Sequence, residues 1–276
     1  MRGSTPCHGD DTCRYGGNTS CVVLEIPGEA PLLFDLGTGL RYFGRTQPHD
    51  GSFRATCLLT HLHWDHTQGL PFFTPLLRDG AHLTVYAPRQ DDGRSILDAF
   101  RSIIAPPMFP VPLDHLSGTV EFFDTGDEEF TIGSAHITSR FIPHHGPTLG
   151  YRIDRQGASM AYISDHQQPY DGSLTLPDGA LQLADHVDLL IHDAQYTPEE
   201  FALKRDWGHC MVDFALQLAI EARARTLVLF HHDPGRDDHA LDRQHGEISE
   251  RAAAHGVRVI TAREGMVLPL TCRSSR

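Results

Sequence analysis

No stretch of this 276-residue chain approaches the ~20 consecutive apolar residues of a membrane-spanning helix. That argues against an integral membrane protein. The opening Met1-Arg2-Gly3-Ser4-Thr5-Pro6 lacks the charged and then apolar layout of a secretory leader, so a cytoplasmic location is expected. Low-complexity linkers and internal repeats are also missing. With 40% hydrophobic residues, the chain can bury one large core, and a single domain over residues 1–276 is expected. Basic residues are few, 23 against 36 acidic, for a net charge of −13. That balance argues against long nucleic acid as a partner, because non-specific affinity for it comes mainly from Lys and Arg on phosphates. Arg223, Arg225 and Arg236 are scattered and read as solvated surface. None of the six cysteines (Cys7, Cys13, Cys21, Cys57, Cys210, Cys272) has the spacing of a closed zinc site. They read as free thiols of a reducing compartment, and the His8, Asp10, Asp11 stretch between Cys7 and Cys13 as a polar loop.

What the chain does have is concentrated in Thr60-His61-Leu62-His63-Trp64-Asp65-His66. Three imidazoles and a carboxylate fall within six residues, directly after the apolar run Ala55 to Thr60. A strand followed by a tight turn aims all four into one small space. Neutral imidazole and carboxylate are ligands for Zn, Mn, Fe and related ions. Four ligands from one loop exceed what one catalytic ion with an open position takes, which suggests two ions sharing the loop.

Apolar β-rich runs alternate with helical patterns along the chain. Ser20 to Ile26 and Pro31 to Phe34 read as a hairpin turned at Pro27-Gly28-Glu29. Strands are expected at Ala55–Thr60, Leu83–Ala87, Val120–Phe123, Glu129–Ile132, Ala135–Phe141, Leu149–Ile153, Ser159–Ser164, Val187–His192, Thr226–Phe230, Arg258–Thr261 and Met266–Leu270. Helices are expected at Leu40–Gly44, Gly93–Ile104, Pro198–Lys204, Met211–Glu221 and about Ala240–Ala254, with a broken helical stretch over Asp65–Leu77. This is mixed α/β with two β-rich halves, and a four-layer αββα sandwich fits it.

Five of these strands end in His or Asp: His61, the pair His144 and His145, Asp165, the pair His192 and Asp193, and the pair His231 and His232. Strand ends and the loops beyond them are where a rigid α/β scaffold carries its sites. Singly, each reads as a loop polar residue or a cap. Together with the early histidine cluster they point to a metal site.

These residues resemble the metallo-β-lactamase superfamily, whose H-x-H-x-D-H signature stands as His61-Leu62-His63-Trp64-Asp65-His66. Within it, the likeness is to the ribonuclease Z-like branch of phosphodiesterases. It rests on Pro143-His144-His145-Gly146-Pro147-Thr148-Leu149-Gly150-Tyr151-Arg152, Tyr162-Ile163-Ser164-Asp165, Leu190-Ile191-His192-Asp193-Ala194, Trp207-Gly208-His209-Cys210 and Leu229-Phe230-His231-His232-Asp233-Pro234.

The resemblance implies that one ion takes His61, His63 and His144, and the second takes Asp65, His66 and His231, with Asp165 bridging. His144 matches because it lies seven residues before Tyr151; His231 is preferred because it follows the strand directly. The other histidine of each doublet stays open as a substrate contact. Asp35 matches an acid that braces the metal loop from behind. Asp65, His209 and Asp193 fall in the catalytic set, with His209 a general acid oriented by Asp193. His192 reads as a supporting residue. There are three departures. The apolar strand that precedes the Arg-Gly-Ser turn in relatives is missing, is supplied otherwise, or lies upstream of a start that is placed late. A long Gly/Pro-rich arm for gripping tRNA is not evident. Asp193 stands where those nucleases carry Glu.

The implied activity is that of a metal-dependent phosphodiesterase with two divalent ions, zinc first and Mn, Fe or Ni as alternatives. Two ions about 3.5–4 Å apart activate water for in-line attack on phosphorus. A small phosphodiester, such as a cyclic nucleotide or cyclic phosphate, is the expected substrate, and a homodimer is a family-level expectation. An RNA 3′-processing nuclease is the alternative. Thioester or lactone hydrolysis fits less well, because those leaving groups need less help than the Asp193/His209 pair offers. A di-iron oxygen-reducing enzyme would carry Glu where His63 stands, and a β-lactamase proper Cys where Asp165 stands. A non-catalytic binding module is disfavoured because all seven ligands are present.

Overall fold

The computed structural model describes residues 1–270. The chain divides into two compact units, one made of Met1–Asn18 with the chain from Asp127 onward, the other of Thr19–Gly126.

In the Thr19–Gly126 unit a five-stranded sheet has the order β1-β2-β3-β4-β5, with β1 (Val22–Leu24), β2 (Leu32–Phe34), β3 (Arg54–Leu58), β4 (His82–Pro88) and β5 (Thr119–Thr125). β1 and β2 are the expected hairpin, antiparallel in the register Val22 opposite Phe34. Gly28 supplies the positive φ of its turn (80°). The remaining pairings are parallel, so β2 and β3 end on the same edge of the sheet. Helices α1 (Leu40–Gly44) and α3 (Ile96–Ile103), with the short α2 (Trp64–Thr67), complete the unit. Leu83, Val85 and Ala87 of β4 are fully buried with Phe73, Ile96 and Phe100 in one apolar cluster. The expected Asp65–Leu77 helix is α2 followed by two 3-10 turns, because Pro71 and Pro75 cannot continue an α-helical ladder.

The other unit holds a seven-stranded sheet, order β12-β11-β10-β9-β8-β7-β6. β6 (Glu128–Ile132), β7 (Ala135–Phe141), β8 (Leu149–Arg155) and β9 (Ala158–Ile163) form an antiparallel meander. β9, β10 (Leu189–Asp193), β11 (Thr226–Phe230) and β12 (Arg258–Thr261) run parallel. Two antiparallel steps separate β7 from β9, so they share a direction. The C-terminal ends of β7, β9, β10 and β11 therefore lie on one edge. Helices α4 (Asp178–Ala184), α6 (Val212–Glu221) and α7 (Asp238–Ala253) bury their apolar residues against this sheet, and α5 (Pro198–Lys204) is closed at its start by a Thr197/Glu200 capping box.

Two expectations fail. Met266–Leu270 is not a strand: Val267 is 88% exposed, and Pro269 has no N–H to give a ladder. α4 was not expected, because a seven-residue segment shows too few turns for a period to stand out. The Arg-Gly-Ser turn itself makes an isolated bridge to the residue after His231. Arg2 pairs in parallel with His232, with Gly3 N–H donating to His232 O at 2.9 Å. Cys7, Cys13, Cys21, Cys57 and Cys210 are free thiols, and Cys272 lies outside the described residues. Among the described residues no helix is long and apolar enough to cross a membrane.

Arg2 is fully buried. Its guanidinium donates to the carbonyls of Thr12 (3.3 Å), Gly16 and Arg236 (2.9 Å), and pairs with Asp238 at 3.1 Å. Removing one member of a buried pair leaves the other charge stranded. Arg2→Met should therefore lower the unfolding free energy by about 3–5 kcal/mol. Arg14→Ala, at an exposed pair with Asp242 that solvent screens, should cost far less. Urea unfolding of both variants checks this; equal, small losses would show that Arg2 contributes no more than a surface ion pair.

Candidate metal centre

In the Thr19–Gly126 unit, β2 and β3 end side by side. Asp35, just past β2, and Thr60, just past β3, meet there. Asp35 Oδ1 accepts from Thr60 N–H and from Thr60 Oγ1, both at 2.8 Å, and Asp35 Oδ2 accepts from His66 Nδ1 at 2.8 Å. The Thr60 hydroxyl spends its proton on Asp35, so it can only accept from His61 Nδ1 at 3.0 Å. Both His61 and His66 are thereby fixed with hydrogen on Nδ1 and a lone pair on Nε2. Backbone bonds weld the two loops: Leu36 N–H to His66 O and Gly69 N–H to Leu36 O, each 2.8 Å. Gly37 permits this approach, since a Cβ there would sit 2.3 Å from Asp65 O. The ring centroid of His61 lies 4.4 Å from that of His63 and 4.2 Å from that of His66, and Asp65 Oδ2 is 3.2 Å from His66 Nε2. His61, Asp65 and His66 are buried, and His63 is exposed.

In the other unit the shared edge gathers His144, Asp165, Asp193 and His231. Asp165 Oδ2 is 3.8 Å from His144 Nε2, 3.5 Å from His231 Nε2 and 3.7 Å from His209 Nδ1. Asp165, His209 and His231 each place a ligand-capable atom within 4.8 Å of the others. The separations of Asp165 from His144 and from His231 suit a shared ion, because two donors each about 2.1 Å from a tetrahedral ion stand about 3.4 Å apart, whereas His209 Nδ1 spends its hydrogen on Asp193. His144 Nδ1–H donates to Gly208 O at 2.6 Å and His231 Nδ1–H to Gln195 Oε1 at 2.7 Å. Both again present Nε2 lone pairs.

Each doublet divides its work. His145 turns away and bonds Asp206 O at 2.6 Å, and His232 is fully buried against Ala262 O at 3.3 Å. Asp193 Oδ2 accepts from His209 Nδ1 and from His166 N–H, both at 3.0 Å; its Oδ1 accepts from Gln195 N–H at 3.0 Å.

His192 is a supporting residue in this arrangement. Its Nδ1–H donates to Asp193 O at 2.7 Å, and its Nε2 accepts from His166 Nδ1–H at 2.9 Å.

The chain reading missed four residues of this arrangement. Thr60 relays between Asp35 and His61. Gln195 orients His231. Gln167 accepts from Gly208 N–H at 2.8 Å. Gly3 leaves room for His231, since a Cβ there would fall 2.0 Å from the imidazole. Only Gln195 carried a signal: strand alternation continued past β10 puts residues 193 and 195 on one side. His231 and Asp35 both have positive φ, 54° and 63°. Non-glycine residues pay for that conformation, and here it turns each side chain into its cluster.

The chain matches the family described as the β-lactamase superfamily domain over residues 32–232. It is 28% identical over 227 residues to the uncharacterized protein Rv1339 of Mycobacterium tuberculosis, covering 78% of this chain and 74% of that protein. It is 26% identical over 273 residues to ribonuclease Z of Anoxybacillus flavithermus, covering 78% and 81%. The metallo-β-lactamase fold protein YhfI from Bacillus subtilis superposes with a TM-score of 0.69 at 19% identity, covering 96% and 94%. The chain belongs to the metallo-β-lactamase superfamily. Among the described residues, the mixed α/β architecture with two sheets and seven α-helices is that fold, and family members are metal-dependent hydrolases.

Two outcomes follow from this geometry. Gln195→Ala removes the acceptor that fixes His231, and loss of such an orienting partner should weaken divalent-ion affinity about 10–100-fold. Calorimetric zinc titration reads it, and unchanged affinity would exclude an orienting role for Gln195. Burial holds His166, His192 and His232 neutral, with values below the ordinary imidazole range. The unfolded chain then binds protons that the native chain refuses. Stability should be highest above about pH 6.5 and fall as pH drops below it, by up to about 1.4 kcal/mol per pH unit for each histidine. Urea midpoints of metal-free protein across that range test it; a flat profile would contradict the assigned neutrality.

Proposed function

We propose that this protein is a dinuclear metal-dependent phosphodiesterase acting on a small phosphodiester such as a cyclic nucleotide or cyclic phosphate. The observation that carries the reading is the proton placement on four histidines. His61, His66, His144 and His231 each spend Nδ1–H on an acceptor and keep an Nε2 lone pair. This is the form of imidazole that binds a cation. The ligands assigned by the family signature are His61, His63 and His144 for one ion and Asp65, His66 and His231 for the other, with Asp165 shared. Zinc suits this nitrogen and carboxylate set, as do Mn, Fe and Ni. When bound, the ions supply Lewis acidity toward phosphoryl oxygens and a nucleophile at neutral pH.

The protein's own chemistry is proton delivery. Asp193 holds His209 through Nδ1–H, and the protonated ring can release hydrogen from Nε2 to the departing oxygen. The Asp193 carboxylate also takes two backbone N–H bonds, which fix it in position. The net charge of −13 favours a small ester over a long polyanion such as RNA. It is also the reason to set ribonuclease Z-type processing second, despite the similarity to proteins of that name.

His63→Ala should lose metal and turnover together. His209→Ala should keep its metal while turnover of bis(p-nitrophenyl) phosphate falls about 10²–10⁴-fold. Elemental analysis alongside a panel of cyclic nucleotides, cyclic ribose phosphates, RNA, thioesters and lactones decides the matter. Undiminished turnover in metal-replete His209→Ala protein would remove His209 as the acid. A metal-loaded wild type that cleaves no phosphodiester in the panel would remove the phosphodiesterase.

A further inference from the structure

The chain has only two tryptophans, and both break the usual habit of that residue, which is highly buried on average. Trp64 is 61% exposed and stands between His63 and Asp65; Trp207 is 60% exposed and stands two residues before His209. Trp207 is the better defined. The loop that bears it is held by side chains on either side of the indole. Gln167 Nε2 donates to Arg205 O at 2.8 Å, and Gln167 Oε1 accepts from Gly208 N–H at 2.8 Å. His145 bonds Asp206 O and His144 bonds Gly208 O, both at 2.6 Å. Trp207 N–H closes the turn on Lys204 O at 3.0 Å. The Lys204 ammonium lies over the indole, 5.5 Å from its centroid, and is anchored by Asp233 at 2.8 Å.

A large apolar ring is thus kept in water on a loop with little freedom left to lose. The hydrophobic effect opposes that exposure. Apart from the Lys204 ammonium over the ring, the bonds that fix the loop run through its backbone and leave the indole 60% exposed. A rigid exposed aromatic surface is what stacking on a planar ligand needs, since no ordering cost is left for the moment of binding. The same carbonyl of Gly208 that orients His144 ties the loop to the candidate metal site one residue from Trp207.

Resting on the phosphodiesterase reading, we propose that Trp207 is the stacking surface for the base of the substrate, which makes the physiological ester a nucleoside phosphodiester and not an unadorned sugar phosphate. Bases stack on aromatic side chains through their π-faces with little regard to identity. Discrimination among bases is therefore weak, and discrimination between base and no base is strong.

The test compares a nucleoside cyclic phosphate with the same cyclic ribose phosphate bearing methoxy in place of the base, on zinc-loaded full-length protein. Trp207→Ala should raise KM for the nucleoside about tenfold and change that for the abasic ester by less than about twofold, and Trp207→Phe should recover most of the loss. Equal losses on the two esters would overturn the stacking role while leaving the phosphodiesterase intact. A second readout does not depend on turnover. In Trp64→Phe protein, Trp207 is the sole indole, and adenosine 5′-monophosphate should quench its emission saturably where ribose 5-phosphate does not. Quenching without cleavage of either ester would keep the stacking surface and remove the activity. Equal response to both phosphates, or to neither, would remove the stacking surface.

Discussion

A ring nitrogen can bind a cation only if its hydrogen is somewhere else. That constraint organises this protein. Each of His61, His66, His144 and His231 is given one acceptor, and each acceptor is of a different kind: a threonine hydroxyl, a carboxylate, a peptide carbonyl and a side-chain amide. The diversity shows that what matters is the location of the proton, not the identity of the group that takes it. Asp35 is the deepest member of this set. It serves His66 directly and His61 through Thr60, so a single buried carboxylate settles two rings at once.

The backbone arrives at these positions for an equally simple reason. Parallel strands deliver their ends to one edge, and the residues just beyond those ends are free of ladder duties. β9, β10 and β11 contribute Asp165, Asp193 and His231 from consecutive neighbours in the sheet, and β7 adds His144 after its own end. Where the regular path would send the side chain elsewhere, the chain accepts a left-handed backbone, at Asp35 and again at His231. A strained conformation at a strand end is the cost of aiming, and it falls on residues of both candidate clusters.

Much of this was legible in the amino-acid order. Alternation and apolar runs located the strands within a residue or two, and the His and Asp residues that follow them stood out because polar residues rarely recur at the same point of successive strands. The family likeness pointed to His144 over His145 by its spacing to Tyr151; in the structure His144 Nε2 lies 3.8 Å from Asp165 and His145 bonds Asp206 O. Of the acceptors, Asp35 was legible and Gln195 carried only the hint of strand alternation; Thr60 and the carbonyl of Gly208 could not be read, because their importance lies in long-range contact: Thr60 meets Asp35 across 25 positions, and Gly208 meets His144 across 64. Gly3 was equally silent, because the space it leaves is defined by a ring 228 residues away. Short helix α4 and the non-strand Met266–Leu270 failed for local reasons, too few turns in one case and a proline with half-exposed neighbours in the other.

The interleaved division of the polypeptide has a bearing on its synthesis. Thr19–Gly126 is contiguous and can assemble as soon as it leaves the ribosome, whereas Met1–Asn18 must wait for partners encoded more than a hundred residues later. Arg2 finds Asp238 only after a residue 236 positions further along has been made. A nascent chain stalled before Asp238 would carry a buried-type arginine with nowhere to go.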